Sequence, residues 1–176
     1  PHGGGPMSGA AHFPTNQDLD PRRLRDAFGI FPSGVVAVAA EVEGALVGLA
    51  ASSFTSVSVD PPLVSFSIRT ESRTWPDLRR AARLGVTILA DHHGPLARQL
   101  AGDPAHRFDD VPVLLGEGGA LTLPDGLAQF GTSIHREVEA GDHTIVLLRL
   151  HEVRQDDTAM PLVFHRSTFD SLLAPR

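Results

Sequence analysis

The stretch ASSFTSVSVDPPLVSFSIR, Ala51 to Arg69, decides how this chain is read. Seven serines and threonines fall in two β-like runs: Ser52, Ser53, Thr55, Ser56 and Ser58 in the first, then Ser65 and Ser67 among Val64, Phe66 and Ile68. Ser52 to Val59 sets Phe54, Ser56 and Ser58 against Thr55, Val57 and Val59, the period of two that a strand imposes. Asp60-Pro61-Pro62 breaks that run before a further strand, Leu63 to Arg69. Two explanations fit the hydroxyls. A solvated strand face tolerates serine and threonine with no further purpose. Alternatively, the small residues of Gly48 to Ser53 let a flat ligand lie close to the backbone while hydroxyls and N–H groups meet its polar edge.

On the N-terminal side, Asp20-Pro21 is an N-cap followed by proline at the first helical position, and Leu24, Ala27, Phe28 and Phe31 recur at helical spacing, so a short helix is expected from Pro21 to Gly29. Val35 to Val42 and Ala45 to Ala50 read as a hairpin turning at Glu43-Gly44. Beyond Arg69, Thr74 with Asp77 three residues on predicts a capped helix that ends at Leu84-Gly85. Then come a buried strand from Val86 to Ala90, a brief helix from Pro95 to Ala101, and a long connection from Asp103 to Gly119. Two long strands, Leu127 to Val138 and His143 to Val153, meet at Ala140-Gly141-Asp142, and Leu162 to His165 is a last short strand. Many strands, few helices and no regular βαβ alternation point to a mainly β protein, an antiparallel barrel with helical decorations. Residues 1–18, rich in glycine and proline, are expected to be mobile and in part an expression remnant before Met7, leaving 19–176 as one domain.

Composition narrows the chemistry. The chain has no cysteine, which excludes disulfides, zinc-thiolate sites, iron–sulfur clusters and cysteine nucleophiles. All 15 basic residues are arginine, so a lysine Schiff base is excluded too. A net charge of -6 with scattered arginines does not suit a nucleic-acid binder. It does suit a small site where guanidinium groups grip phosphate. With no long apolar run and no signal-peptide pattern, a cytoplasmic protein away from the membrane is expected.

Two further constellations carry chemistry. In SIRTESRTW, Arg69, Ser72, Arg73 and Thr74 precede the predicted helix and read either as a phosphate cradle or as an exposed loop with an N-cap threonine. In AGDHTIVLL, His143 follows a Gly-Asp turn, where it can contact a ligand or simply sit in the hairpin. His92-His93 and the other histidines lack metal-binding spacing, and no metal is expected. No G-x-S-x-G elbow, P-loop or dinucleotide-binding glycine motif is present.

Taken in order, LRDAFGIFPSGVVAVAA, GLAASSFTSVSVDPPLVSFSI, SRTW, Arg107-Phe108, GDHTIVLLRLHEV and PLVFHRSTF resemble the flavin reductase family with the FMN-binding split barrel, over about Leu24 to Phe169. The resemblance implies a homodimer that transfers hydride from NADH or NADPH to FMN or FAD and supplies reduced flavin to a separate monooxygenase. It implies that Ala50, Ala51, Ser52 and Ser53 lie along the flavin, that Ser67 and Arg69 meet it from the next strand, and that Arg73, Thr74 and Arg98 stand near its phosphate. His143, implied as a catalytic residue, would lie with Phe164 and Arg166 on the nicotinamide side. The chain departs from the family's common pattern at Ala50, Thr87 and Arg149, where a polar residue, an asparagine and a glycine are frequent. Two alternatives keep the same fold: flavin as a prosthetic group for another redox reaction, or a flavin-binding module without enzymatic activity.

Overall fold

A computed structural model describes residues 19–156 and 158–172, so the segment expected to be mobile, 1–18, lies outside the described residues. The α-helices and strands run α1 (Pro21–Gly29), β1 (Ser33–Gly34), β2 (Val36–Val42), β3 (Ala45–Ala51), β4 (Thr55–Val59), β5 (Pro62–Arg69), α2 (Trp75–Leu78), β6 (Leu84–Ile88), α3 (Gly94–Leu100), β7 (Leu114–Leu115), β8 (Leu121–Thr122), β9 (Ala128–Ala140), β10 (His143–Gln155), β11 (Leu162–His165) and β12 (Thr168–Ser171). The fold is mainly β, and all its strand pairs are antiparallel. Among the described residues no helix is long and apolar enough to cross a membrane.

The principal sheet has the order β3-β2-β6-β9-β10-β5-β4, with β3 and β4 at its edges and no closing ladder between them. Its first hairpin turns where expected, because Glu43 (φ 52°) and Gly44 (φ 81°) supply the two positive φ angles that a two-residue loop needs. The strand β2, next to the edge strand β3, is buried on both faces. Val36, Val38 and Ala40 join one core with Phe66, Leu84, Val86, Val146 and Leu148. Val35 and Ala37 face a second core with Ala97, Leu100, Leu123 and Leu162. That is why the sequence there is continuously apolar rather than alternating. The second core lies under α3 and the small sheet β1-β11-β12.

The helix expected from Thr74 to Leu84 is a single turn. Asp20 does cap α1, accepting from the N–H groups of Arg22 (2.8 Å) and Arg23 (3.4 Å), but Thr74 makes no capping bond to α2. Ser72 Oγ instead accepts from the Trp75 N–H at 3.2 Å, and Leu84-Gly85 opens β6. Gly85 is a strand glycine for a packing reason: a Cβ there would meet the Leu121 carbonyl oxygen at 2.0 Å. The expected strand from Ser52 to Val59 is also interrupted, since β3 ends at Ala51 and β4 begins at Thr55.

Candidate functional site

The end of β3 carries the site. Ala50 and Ala51 pair with Ala37 and Val36 of β2, which fixes their direction. With Ser52 they line a narrow groove of about 150 Å³, completed by Val35, Ala97, Ala101, Phe164 and Phe169. Ala97 and Ala101 are four residues apart and therefore share one side of α3 and its extension. Phe164 and Phe169 face each other across β11 and β12, with ring centres 5.3 Å apart.

Ala50 and Ala101 also line an adjoining cleft of about 460 Å³, so the two cavities are neighbours. The cleft's polar wall is built from Arg69, Glu71, Ser72, Arg73, Thr74 and Arg107. Arg69 and Arg73 are exposed, and among the described residues neither side chain has an ion pair or a hydrogen bond. Arg69 also acts electrostatically on the Asp142 carboxyl, and Glu71 is the carboxylate among the cleft's lining residues.

The structure brings together most of the residues singled out in the sequence. Ala50, Ala51, Ser52 and Phe164 share the groove, and Ala50, Arg69, Arg73 and Thr74 share the cleft. His143 is the register partner of Arg69 across β5 and β10. Its Nδ1 lies 2.7 Å from Asp142 Oδ1, and this hydrogen bond and the imidazole charge hold the Asp142 carboxyl below its ordinary value. The Asp142 carbonyl is pinned in turn by the N–H and hydroxyl of Thr70, at 3.1 and 3.2 Å.

Other residues are engaged elsewhere. Ser53 Oγ accepts from the Ser67 N–H at 2.9 Å and donates to the Ser67 carbonyl at 3.1 Å. Those hydroxyl bonds tie the end of β3 to β5 just beyond the last β4 pair, Thr55 with Ser65. Thr74 Oγ1 accepts from Arg107 Nη1 at 2.8 Å. Arg98 stands over Phe169, its guanidinium carbon 5.1 Å from the ring centre, and lines with Asp91 and His92 a cavity that shares Phe169 with the groove. Arg166 donates its N–H to the Gly29 carbonyl (2.9 Å) and lines a cavity beside α1. Neither lines the groove or the cleft.

The departures from the family pattern differ in weight. Ala50 is part of the groove wall. Thr87 is fully buried, and its hydroxyl accepts from the Leu123 N–H at 3.1 Å, a structural duty. Arg149 is exposed on β10.

Sequence reasoning passes over Arg107 as a site residue. Its Nη1 donates to the Gly48 carbonyl and to Thr74 Oγ1, both at 2.8 Å, and its Nε donates to the Gly102 carbonyl at 3.0 Å. Gly48 is bare for the same neighbourhood: a Cβ there would lie 2.7 Å from Phe108 Cζ and 2.8 Å from Ala39 Cβ. The only signal was the Arg107-Phe108 pair within the family-like pattern. Among the described residues no cluster of three or more histidine, aspartate or glutamate side chains is placed to hold a metal ion.

Alanine methyls and two phenylalanines line the groove, and Arg69 and Arg73 line the adjoining cleft. Residues 28–173 match the flavin reductase like domain, and the chain belongs to that family. It is 37% identical to an NADH-dependent flavin reductase from Rhodococcus sp, over 88% of each chain. It is 27% identical to the reductase subunit of a flavin-dependent monooxygenase from Rhodococcus jostii, covering 88% of this chain and 79% of that one. Among solved structures it superimposes on the NADH:FAD oxidoreductase of Streptomyces globisporus C-1027 with a TM-score of 0.83 and 31% identity, over 92% of this chain and 100% of that one.

Proposed function

We propose that this chain is an NAD(P)H:flavin oxidoreductase that reduces FMN or FAD and hands the reduced flavin to a separate monooxygenase. The observation that carries this reading is a pair of neighbouring cavities that share Ala50 and Ala101, one a groove of alanines and phenylalanines and the other a cleft lined by Arg69 and Arg73. When bound, the nicotinamide and flavin rings supply the hydride chemistry themselves. The protein's share is to hold and orient them.

Ala50, Ala51 and Ser52 back the ring, and Arg69, Arg73 and Thr74 receive the phosphate end. His143 orients the second nucleotide. Because a carboxylate only accepts, its bond to Asp142 places a proton on His143 Nδ1. Ser53 and Ser67 serve the pocket through the backbone tie that holds β3 against β5. That tie also supports a split barrel, since it joins the end of one edge strand, β3, to β5, the neighbour of the other edge strand, β4. Arg98 and Arg166 are assigned no contact with the flavin in this arrangement. A single domain, a homodimer and a cytoplasmic setting, where NAD(P)H is available, complete the reading.

The test is NADH and NADPH oxidation by purified, flavin-stripped protein with and without added FMN, FAD and riboflavin. Oxidation that requires flavin and turns over many equivalents is expected. Tight flavin binding without nucleotide oxidation would overturn the reductase reading and leave a flavin-binding module.

A further inference from the structure

Of the three arginines that line the cleft, Arg107 alone is committed to the protein. Its acceptors come from three separate segments: Gly48 in β3, Thr74 ahead of α2, and Gly102 beyond α3. Burial pushes its guanidinium below the ordinary value, with Asp103 opposing that effect, yet arginine stays charged. The bonds are therefore charge-assisted, and the planar fork fixes their directions.

β3 is paired with β2 along its whole length, from Val36 with Ala51 to Val42 with Ala45, and the Ser53 hydroxyl ties its end to Ser67 of β5. The segment from Thr70 to Thr74 that follows β5 is held at its start by Ser72 N–H to the Arg69 carbonyl (3.0 Å) and by the Thr70 contacts with Asp142. Arg107 adds a second link, from Gly48 within β3 to Thr74 at the far end of that segment.

We propose that Arg107 is a positioning residue for flavin reduction: it fixes the distance between the alanine wall of β3 and the Arg69-to-Thr74 segment, so that one flavin is held by ring and phosphate together. The proposal rests on the flavin reductase reading above. It separates two affinities that a simple stabilising role would move together. Riboflavin, which has no phosphate, depends on the β3 wall, whereas FMN depends on the wall and the arginines at a set spacing.

The measurement is the dissociation constant of FMN and of riboflavin, from quenching of flavin fluorescence, for the wild type and for Arg107→Met, Arg107→Lys and Thr74→Val. Loss of a charge-assisted anchor predicts FMN binding weaker by about 10- to 100-fold in Arg107→Met, with riboflavin nearly unchanged. Arg107→Lys restores charge without the fork and is expected to leave the FMN-to-riboflavin preference low. Thr74→Val, which keeps shape and removes the acceptor, is expected to lower it in the same direction. An unchanged preference in Arg107→Met, equal losses for both flavins, or full rescue by lysine would overturn the proposal. Should Arg107→Met fail to fold by circular dichroism, the lysine and valine variants decide. Because binding is read without turnover, a wild type that binds FMN but oxidises no nucleotide removes the reductase reading and leaves the positioning role standing. A wild type that binds neither flavin overturns both.

Discussion

His93 shows how one side chain holds up the helix that walls the groove. It is buried, its ring lies tilted against His92 with centres 4.1 Å apart, and its Nδ1 accepts the Ala90 N–H at 3.0 Å just before α3. That bond needs a neutral ring. Burial, and secondarily the charge of His92, hold its pKa below the ordinary 6.5, with Asp125 and Asp91 opposing. The sign follows from linkage: as pH falls through 6.5 the unfolded chain takes the proton first, so the fold loses stability on the acid side until His93 itself titrates. Urea midpoints taken from neutral to acid pH should decline in the wild type. The decline should be shallower in His93→Asn, whose amide oxygen supplies an acceptor that does not titrate. Parallel curves for the two proteins would show that His93 contributes nothing to the acid limb.

At the scale of elements, the serine-rich stretch has a double use. β4 stops pairing at Thr55 with Ser65, and two residues farther along β5 the Ser53 hydroxyl stands in for the missing strand, bonding both the N–H and the carbonyl of Ser67. Ser53→Ala leaves those groups to water, at a cost of about 1 kcal/mol for a partly exposed pair. That corresponds to a fall in melting temperature of roughly 2–4 °C for a chain of this size. The Ser67 amide should also exchange faster with deuterium, and Ser53→Thr should retain protection. Exchange at Ser67 that is indifferent to the alanine change would contradict the role assigned to the hydroxyl.

The same stretch shows what a sequence reveals and what it withholds. Local signals were legible: Asp20-Pro21 starts α1, Glu43-Gly44 turns the first hairpin, and β11 has the bounds expected for it. The small residues at the end of β3 also stood out, and Ala50, Ala51 and Ser52 line the groove there. The short strands β1 and β12 were missed, since each exists through β11 and too few residues carry a pattern. The capping box at Thr74 misled because Ser72 takes the Trp75 N–H and Thr74 turns to Arg107. Arg107 itself was illegible: its acceptors Gly48 and Thr74 are 59 and 33 residues away, and no local rule links them.

At the scale of the whole molecule, α1 poses the remaining physical problem. Its sequence is amphipathic, yet none of its residues is buried, and Leu19, Phe28, Ile30 and Phe31 are 72%, 70%, 56% and 79% exposed. Large exposed apolar side chains grouped at one end of a helix, as Phe28, Ile30 and Phe31 are, suit a contact with another molecule or segment. A second copy of the chain is the occupant that the homodimer reading supplies. Each phenylalanine it covers is worth about 1.5–3 kcal/mol when fully buried. Light scattering after gel filtration should therefore give twice the chain mass for the wild type, and the melting temperature should rise with protein concentration, as mass action requires. Phe28→Ser with Phe31→Ser should shift the mass toward the monomer and abolish that concentration dependence, while circular dichroism stays that of a folded β protein, because neither side chain belongs to the described cores. A wild type that runs as a monomer at all concentrations would refute the dimer and assign the face of α1 to another partner or to a segment of the chain itself. A dimer untouched by the double substitution would keep the homodimer and move its interface off α1.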